Sequence, residues 1–308
     1  MPEAKQPQIR FIKLGEGGRW EASCIAEGTV RLGYHSPHHQ ASLSGQWDVV
    51  RTFWLEQRKG NEGATTSSVN QIKDFYELTE DDIWITFHRK RMYWCRAGRE
   101  VHELEDGSRI RRTIGNWSSM DGNGRPLSIE NIDGRVTKVQ GYRGTICTVQ
   151  MPDYVLRKIN GDVIQEVMEA EQVLAALKTK VSSLIAGLWW NDFELLIDLI
   201  FARAGWQRFS VLGKTGKDID IDALAPATGR RAFIQIKSET SQLEAERYIA
   251  AYQEYVDFDE MFFVYHTCSA DLQQLANREA NVHIWGLDAI ATLVISSGLV
   301  DWLINKRR

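Results

Sequence analysis

Residues 217–238 read KDIDIDALAPATGRRAFIQIKS. Asp218, Asp220 and Asp222 alternate with Ile219 and Ile221. Alternate side chains on a strand take opposite faces, so the carboxylates share one face and the isoleucines the other. Pro226-Ala227-Thr228-Gly229 is turn chemistry. In the strand predicted beyond it, Phe233, Gln235 and Lys237 share a face, while Ile234 and Ile236 take the other. Pairing through the turn brings the aspartate face beside the Gln-x-Lys face. Three aspartates on one strand face repel unless a cation or basic groups neutralise them. Mg²⁺ takes one or two carboxylates and keeps several waters, and it can lower the pKa of a bound water and stabilise charge on a phosphate. A neighbouring ammonium can orient or deprotonate that water and contact the phosphate.

The flanking sequence places this hairpin in an alternating domain. Residues 191–204 predict a helix, with Asn191 or Asp192 as cap and Gly205 as its end. Strands are predicted over 206–212, 219–225, 232–237, 261–265 and 282–285, with helices over 240–256, 270–277 and 287–304. That order indicates an α/β (α+β) domain with a mixed sheet flanked by helices. Upstream, Val163, Val167, Val173, Leu174, Leu177, Val181, Leu184, Ile185 and Leu188 recur at three- and four-residue steps, a long amphipathic helix over 161–188. Its expected roles are linker and packing surface.

The first half has a different texture. Short β-like runs at 20–25, 29–32, 83–87, 93–96 and 145–149 are separated by Gly, Asn, Asp and Ser. His88–Arg91 reads as a hairpin bend, 68–78 as a short helix, and Met120–Arg125 as a turn cluster. We expect a small, mostly β, barrel-like domain. The division is 1–155 for this domain, 156–189 for the linker helix and 190–308 for the second domain.

Composition narrows the class. The 308 residues are 43% hydrophobic and 25% charged, as in folded globular chains. No apolar run reaches the ~18–20 residues of a membrane span, so no membrane partner is expected. Cys24, Cys95, Cys147 and Cys268 are scattered and form no C-x-x-C, which fits reduced thiols in a cytoplasmic setting. The net charge of −4 hides an asymmetry: 23 Lys+Arg against 20 Asp+Glu over residues 1–160, and 14 against 21 beyond.

The hairpin and its surroundings resemble the Mrr-like branch of the PD-(D/E)XK nuclease superfamily. The likeness spans roughly 190–265: Phe193-Glu194-Leu195-Leu196 opens the helix, Ala204-Gly205-Trp206 closes it, and Asp220 and Gln235-Ile236-Lys237 follow on successive strands. The resemblance implies that Asp220 binds the metal, with Asp222 as the competing position that strand parity alone does not separate. It further implies that Gln235 is the second metal-side group, that Ile236 lends its backbone carbonyl, that Glu194 completes the metal shell and that Lys237 is the catalytic lysine. The implied cofactor is Mg²⁺ or Mn²⁺. Gln235 departs from the commoner acid, and a neutral amide binds Mg²⁺ less well.

Six of the eleven tryptophans precede residue 150, and Trp94 and Trp117 lie near arginines. Aromatics interleaved with cations suit base stacking and phosphate contact. Trp20-x₃-Cys24 with Gly28–Tyr34 resembles the opening hairpin of the PUA-like EVE and YTH group, and Val69–Phe75 with Leu78–Ile85 resembles its helix-then-strand segment. That group holds an extruded, often modified, base in an aromatic cage. On this resemblance Tyr34, Trp47, Trp94 and Trp117 are the candidate walls. His35, His38 and His39 read as a polar loop.

Together these readings predict a Mg²⁺-dependent DNA endonuclease of the modification-dependent restriction type, in which the first half reads a modified base and the second hydrolyses the phosphodiester. Duplex cleavage needs two sites, so a homodimer is expected. The competing readings are a non-cleaving sensor of modified nucleic acid and an unspecific nuclease or RNase toxin.

Overall fold

The computed structural model describes residues 6–35, 37–209, 220–276 and 281–308. The chain divides into two units, Met1–Val163 and Ile164–Arg308.

The first unit runs β1 (Ile9–Ile12), α1 (Glu21–Glu27), β2 (Thr29–Leu32), α2 (His39–Leu43), α3 (Trp47–Gln57), α4 (Glu62–Glu77), β3 (Ile83–His88), β4 (Arg91–Ala97), β5 (His102–Glu103), β6 (Arg109–Ser118), α5 (Gly134–Thr137), β7 (Ile146–Thr148) and α6 (Pro152–Asn160). Its sheet follows the path β2-β6-β4-β3-β1-β7, with β5 on β6. The path has two ends, so among the described residues the expected barrel does not close. The unit is also more helical than its sequence suggested. Of residues 20–25, expected as a strand, Trp20 precedes α1 and 21–25 belong to it; the helix ends where Gly28 takes a left-handed conformation (φ 65°) and donates back to the Cys24 carbonyl. The opening segment is therefore a helix followed by β2, not a hairpin. The expected 68–78 helix is the second half of α4, whose Asn61 cap accepts from the Ala64 N–H at 3.0 Å. Thr65, Ser68, Val69, Ile72 and Phe75 form its buried face. The bend at 88–91 is the predicted hairpin, with Arg89 and Lys90 both at positive φ.

Two buried arginines stitch this unit together. Arg111 is fully buried and donates to the carbonyls of Gly98 (2.7 Å), Phe75 (3.0 Å) and Ala97 (3.1 Å). Burial pulls its guanidinium down to about 10. Arg109 donates to the carbonyls of Tyr34 and Gly107 and to Glu103. Gly161, left-handed at φ 78°, closes α6. Val155 and Ile159 of that helix pack into a core of this unit, so the division falls after the expected 155.

The second unit runs α7 (Gln165–Ala186), α8 (Trp190–Arg203), β8 (Gln207–Arg208), β9 (Ile221–Ala225), β10 (Arg230–Thr240), α9 (Gln242–Gln253), β11 (Glu260–Cys268), α10 (Gln273–Ala276), β12 (Val282–Trp285), α11 (Leu287–Ser296) and α12 (Val300–Arg307). The five strands lie in the order β12-β11-β10-β9-β8. β10, β11 and β12 pair in parallel, while β9 and β8 add on antiparallel. This is the mixed, helix-flanked α/β architecture expected. Phe193, Leu196, Ile197, Ile200 and Phe201 recur at helical spacing on α8 and are all buried against Ile234, Ile236 and Val264 of the sheet. Each such side chain contributes about 1.5–3 kcal/mol. α8 starts at Trp190 with no side-chain cap, so neither Asn191 nor Asp192 caps it. The C-terminal half of α7 joins the same core through Val181 and Ile185, which makes the expected linker helix part of this unit. No single described helix is long and apolar enough to cross a membrane.

Candidate active site

The β9–β10 register decides which carboxylate meets which partner. Phe233 pairs with Asp222 and Ile234 with Ile221. One step further, at the end of β9, Asp220 comes opposite Gln235. Asp220 Oδ2 accepts from Gln235 Nε2 at 2.5 Å and from the Ile236 N–H at 2.7 Å. The amide assignment follows from chemistry, because its oxygen facing the carboxylate would be repelled. Asp222 lies on the same face but is drawn the other way, to Arg231 Nη2 at 2.7 Å. The geometry thus separates the two aspartates that parity could not: Asp220, not Asp222, joins Gln235 and Ile236. Asp218 lies outside the described residues.

Three further side chains surround Asp220. Glu194, one turn into α8, lies close enough to feel the Asp220 charge. Burial first, and then the Asp220 charge, lift the Glu194 carboxyl above its ordinary value. Burial also raises Asp220, against the pull of the Ile236 N–H, Lys237 and Arg208. Arg208 donates to the Asp220 carbonyl at 3.1 Å and sits 3.6 Å from Asp198. Lys237 Nζ lies 3.6 Å from Glu244 Oε1 and 5.0 Å from the centre of the Tyr248 ring. Burial works against its ammonium, but the Tyr248 hydrogen bond and the charges of Glu244 and Asp220 outweigh it and raise its pKa. Lys237 is therefore charged at neutral pH, suited to orienting a water or a phosphate oxygen rather than to taking a proton.

The residues holding Lys237 are set by α9. Ser241 Oγ accepts from the Glu244 N–H at 3.3 Å, and Glu244 Oε2 accepts from Thr240 Oγ1 at 3.0 Å. The helix start is thereby tied to the end of β10. Tyr248 follows Glu244 by four residues, so both share one helix face. Ser241-x-x-Glu244 is a capping-box signal legible in sequence. Arg208 carried no signal at all.

The oxygen donors suit a hard divalent cation. Gln235 Oε1 is buried with no hydrogen-bond partner among the described residues, and an orphaned acceptor beside two carboxylates of raised pKa is what a bound cation would satisfy. A residue in an extended strand points its N–H and C=O to the same edge, so the Ile236 carbonyl faces the side on which its N–H meets Asp220. Among the described residues no group of three or more His, Cys, Asp and Glu gathers. The donor set is instead two carboxylates, an amide and a carbonyl, within the range Mg²⁺ accepts with waters completing it.

Of the candidate aromatic walls, Trp117, Tyr34 and Trp47 belong to one cluster and Trp94 to another. Trp117 is a buried core side chain whose Nε1 donates to the Thr29 carbonyl at 2.9 Å. Tyr34 packs edge-on to Trp54 and donates to Gln71, and Trp47 donates to Glu77 at 2.8 Å. Both belong to the Trp54 and Phe75 cluster. Trp94 packs elsewhere, on the Leu127 and Val155 cluster. With Arg96, Ile114, Asn116 and Leu156 it lines a cleft of about 370 Å³, beside a register shift between β4 and β6. His38 packs on Phe53 and His39 bonds Tyr76, separate contacts that gather no metal set.

No protein-family model matches the sequence, and no curated protein matches it. Among solved structures, the chain is similar to the DNA modification-dependent restriction endonuclease AspBHI at 13% identity and a TM-score of 0.34, over 73% of this chain and 68% of that one. It is also similar to the MspJI restriction endonuclease in complex with a 27-mer oligonucleotide, at 10% identity and a TM-score of 0.28, over 92% and 74%.

Proposed function

We propose that the chain is a divalent-metal-dependent DNA endonuclease that acts on modified DNA. The observation that carries this reading is the convergence on Asp220 of Gln235 and the Ile236 N–H, with Glu194 and Lys237 within electrostatic reach. Asp220, Glu194, Gln235 Oε1 and the Ile236 carbonyl would hold Mg²⁺ or Mn²⁺. When bound, such an ion supplies an acidified water and charge stabilisation on the phosphate. Asp220 has its carboxylate fixed by two donors, so its orientation costs nothing at the moment of reaction. Lys237, held by Glu244 and Tyr248, presents an ammonium to the attacking water and the phosphoryl oxygens. Arg208 anchors the backbone that carries Asp220.

In the first unit, the Trp94 cleft is where an extruded base would be held, stacked on the indole and met by Arg96 and Asn116. Extrusion costs a few kcal/mol, which stacking and edge hydrogen bonds must return. The test is nicking of supercoiled DNA carrying different base modifications, with Mg²⁺, by wild type and by Lys237→Ala. Cleavage by wild type only, and only of modified DNA, supports the reading. Specific binding with no cleavage by either protein makes the chain a sensor. Cleavage of unmodified DNA or RNA makes it a general nuclease.

A further inference from the structure

We infer that Trp189 and Trp190, where α8 begins, form a stacking platform for an unpaired nucleotide of the DNA strand held at the candidate site. This rests on the nucleic-acid reading of that site. The two indoles are 61% and 52% exposed, and their ring centres lie 5.3 Å apart at 60°. A tryptophan side chain offers up to about 250 Å², so the pair leaves roughly that area of apolar surface in water. The core does not use it, because α8 buries Phe193, Leu196, Ile197, Ile200 and Phe201 instead. Apolar patches of a few hundred Å² rimmed by polar groups mark contact sites. Position ties this one to the chemistry. Trp190 precedes Glu194 by four residues, so the two share a helix face one turn apart, about 5.4 Å along the axis. A DNA strand advances ~3.4 Å per nucleotide. The platform therefore lies within a nucleotide or two of a phosphate held at Asp220 and Glu194.

The charges identify the occupant. Arg307 Nη1 donates to the carbonyl of Gly187, two residues before Trp189, and Lys306 Nζ lies 2.8 Å from Asp192, two residues after Trp190. The end of α12 thus sets a cation on each side of the indole pair. Lys306 neutralises Asp192, which would otherwise repel a phosphate. Arg307 is held by a carbonyl rather than a carboxylate, so its charge stays available, and exposed Arg308 follows it. Aromatic rings bracketed by cations match a base and its phosphates. Inside a duplex the faces of a base are covered by its stacked neighbours, so the nucleotide received here is one that has left the stack. Every base has such a face, so the platform should be indifferent to sequence.

Fluorescence anisotropy of a labelled oligothymidylate with the full chain in EDTA tests the platform apart from hydrolysis. Wild type should bind, and Trp190→Ala should weaken binding by at least about fivefold, with the circular dichroism unchanged. Trp190→Phe keeps a ring and should retain most of the affinity. The two losses should also differ in kind. Trp190→Ala should leave the slope of log affinity against log salt unchanged, whereas Arg307→Gln should reduce its magnitude by about 0.7, the value of one phosphate contact on a single strand. A wild type that binds no single strand overturns the platform. So does undiminished binding by Trp190→Ala, as expected if another protein surface covers the indoles, or an equal loss in Trp190→Phe. Nicking of modified DNA decides the endonuclease reading separately. Cleavage by wild type together with undiminished binding by Trp190→Ala removes the platform alone, and the predicted binding pattern without any nicking removes hydrolysis alone.

Discussion

Gln235→Glu probes the candidate site with a change of one atom. In the wild type, Gln235 Nε2 donates to Asp220 Oδ2 at 2.5 Å. The variant loses that donor, and a hydrogen bond to a charged group contributes about 1.5–3 kcal/mol. It also sets one carboxylate against another. At about 4 Å and an effective dielectric near 20, the repulsion is about 4 kcal/mol. The pair can escape only by binding a proton. From the ordinary glutamate value that costs about 5 kcal/mol at pH 8 but about 1 kcal/mol at pH 5. At the higher pH repulsion and the lost donor together reach about 5–7 kcal/mol, so taking up the proton is no dearer, and the second unit should lose about 5 kcal/mol. At the lower pH a shared proton restores a hydrogen bond, and the loss should shrink to about 1–2 kcal/mol. Urea unfolding followed by tryptophan fluorescence, in EDTA and in millimolar Mg²⁺, reads both numbers. Mg²⁺ should recover most of the loss at the higher pH, because two carboxylates and Glu194 then face a cation. Equal losses at the two pH values, or no response to Mg²⁺, would refute the proposed closeness of positions 220 and 235.

Other outcomes follow from burial and charge. Arg111→Met leaves three buried carbonyls without their donor and should cost about 3–5 kcal/mol, measured as a lower urea midpoint; a shift within the noise would mean that those bonds contribute nothing. Trp117→Ala should remove about 3–5 kcal/mol as a core truncation, whereas Trp94→Ala should lower affinity for modified DNA with a smaller change in thermal midpoint. The raised carboxyls of Asp220 and Glu194 fix a sign. Their protonated forms favour folding below the ordinary carboxylate pKa, and that contribution is lost as pH rises through the raised folded values. Without cation, Asp220→Asn should therefore unfold at a higher temperature than wild type above that window and lose the advantage below it. A variant that melts lower at neutral pH would argue that the carboxylate is stabilising.

Much of the second unit was legible because its signals are local. The alternation from Ile219 to Lys237 fixes faces by period alone, and the three- and four-residue steps of α8 fix its buried side. The turn at Pro226–Gly229 fixes the pairing that brings Asp220 to Gln235. What sequence did not give depends on partners far along the chain. Asp222 and Asp220 have the same parity, and only the position of Arg231 draws them apart. Glu244 and Tyr248 reach Lys237 because Thr240 and Ser241 tie α9 to β10, a contact with no periodic trace. In the first unit the strand-like period runs over too short a window to decide between helix and strand. Residues 20–25 alternate over only a few positions, and the left-handed Gly28 ends a helix there. Arginines precede Trp117 in sequence, yet its indole N–H is satisfied by the Thr29 carbonyl inside the core. Adjacency in sequence says little about which face an aromatic takes.

The account depends most on Asp220 and Glu194 forming one oxygen site for a divalent ion. Mn²⁺ titration followed calorimetrically, in the absence of DNA, measures that directly. Wild type should bind Mn²⁺, with Asp220→Asn and Glu194→Gln each weakening it by at least about tenfold, or about 1.4 kcal/mol, and Asp222→Asn leaving it nearly unchanged. Binding that survives Asp220→Asn, or that is lost instead in Asp222→Asn, would contradict the site.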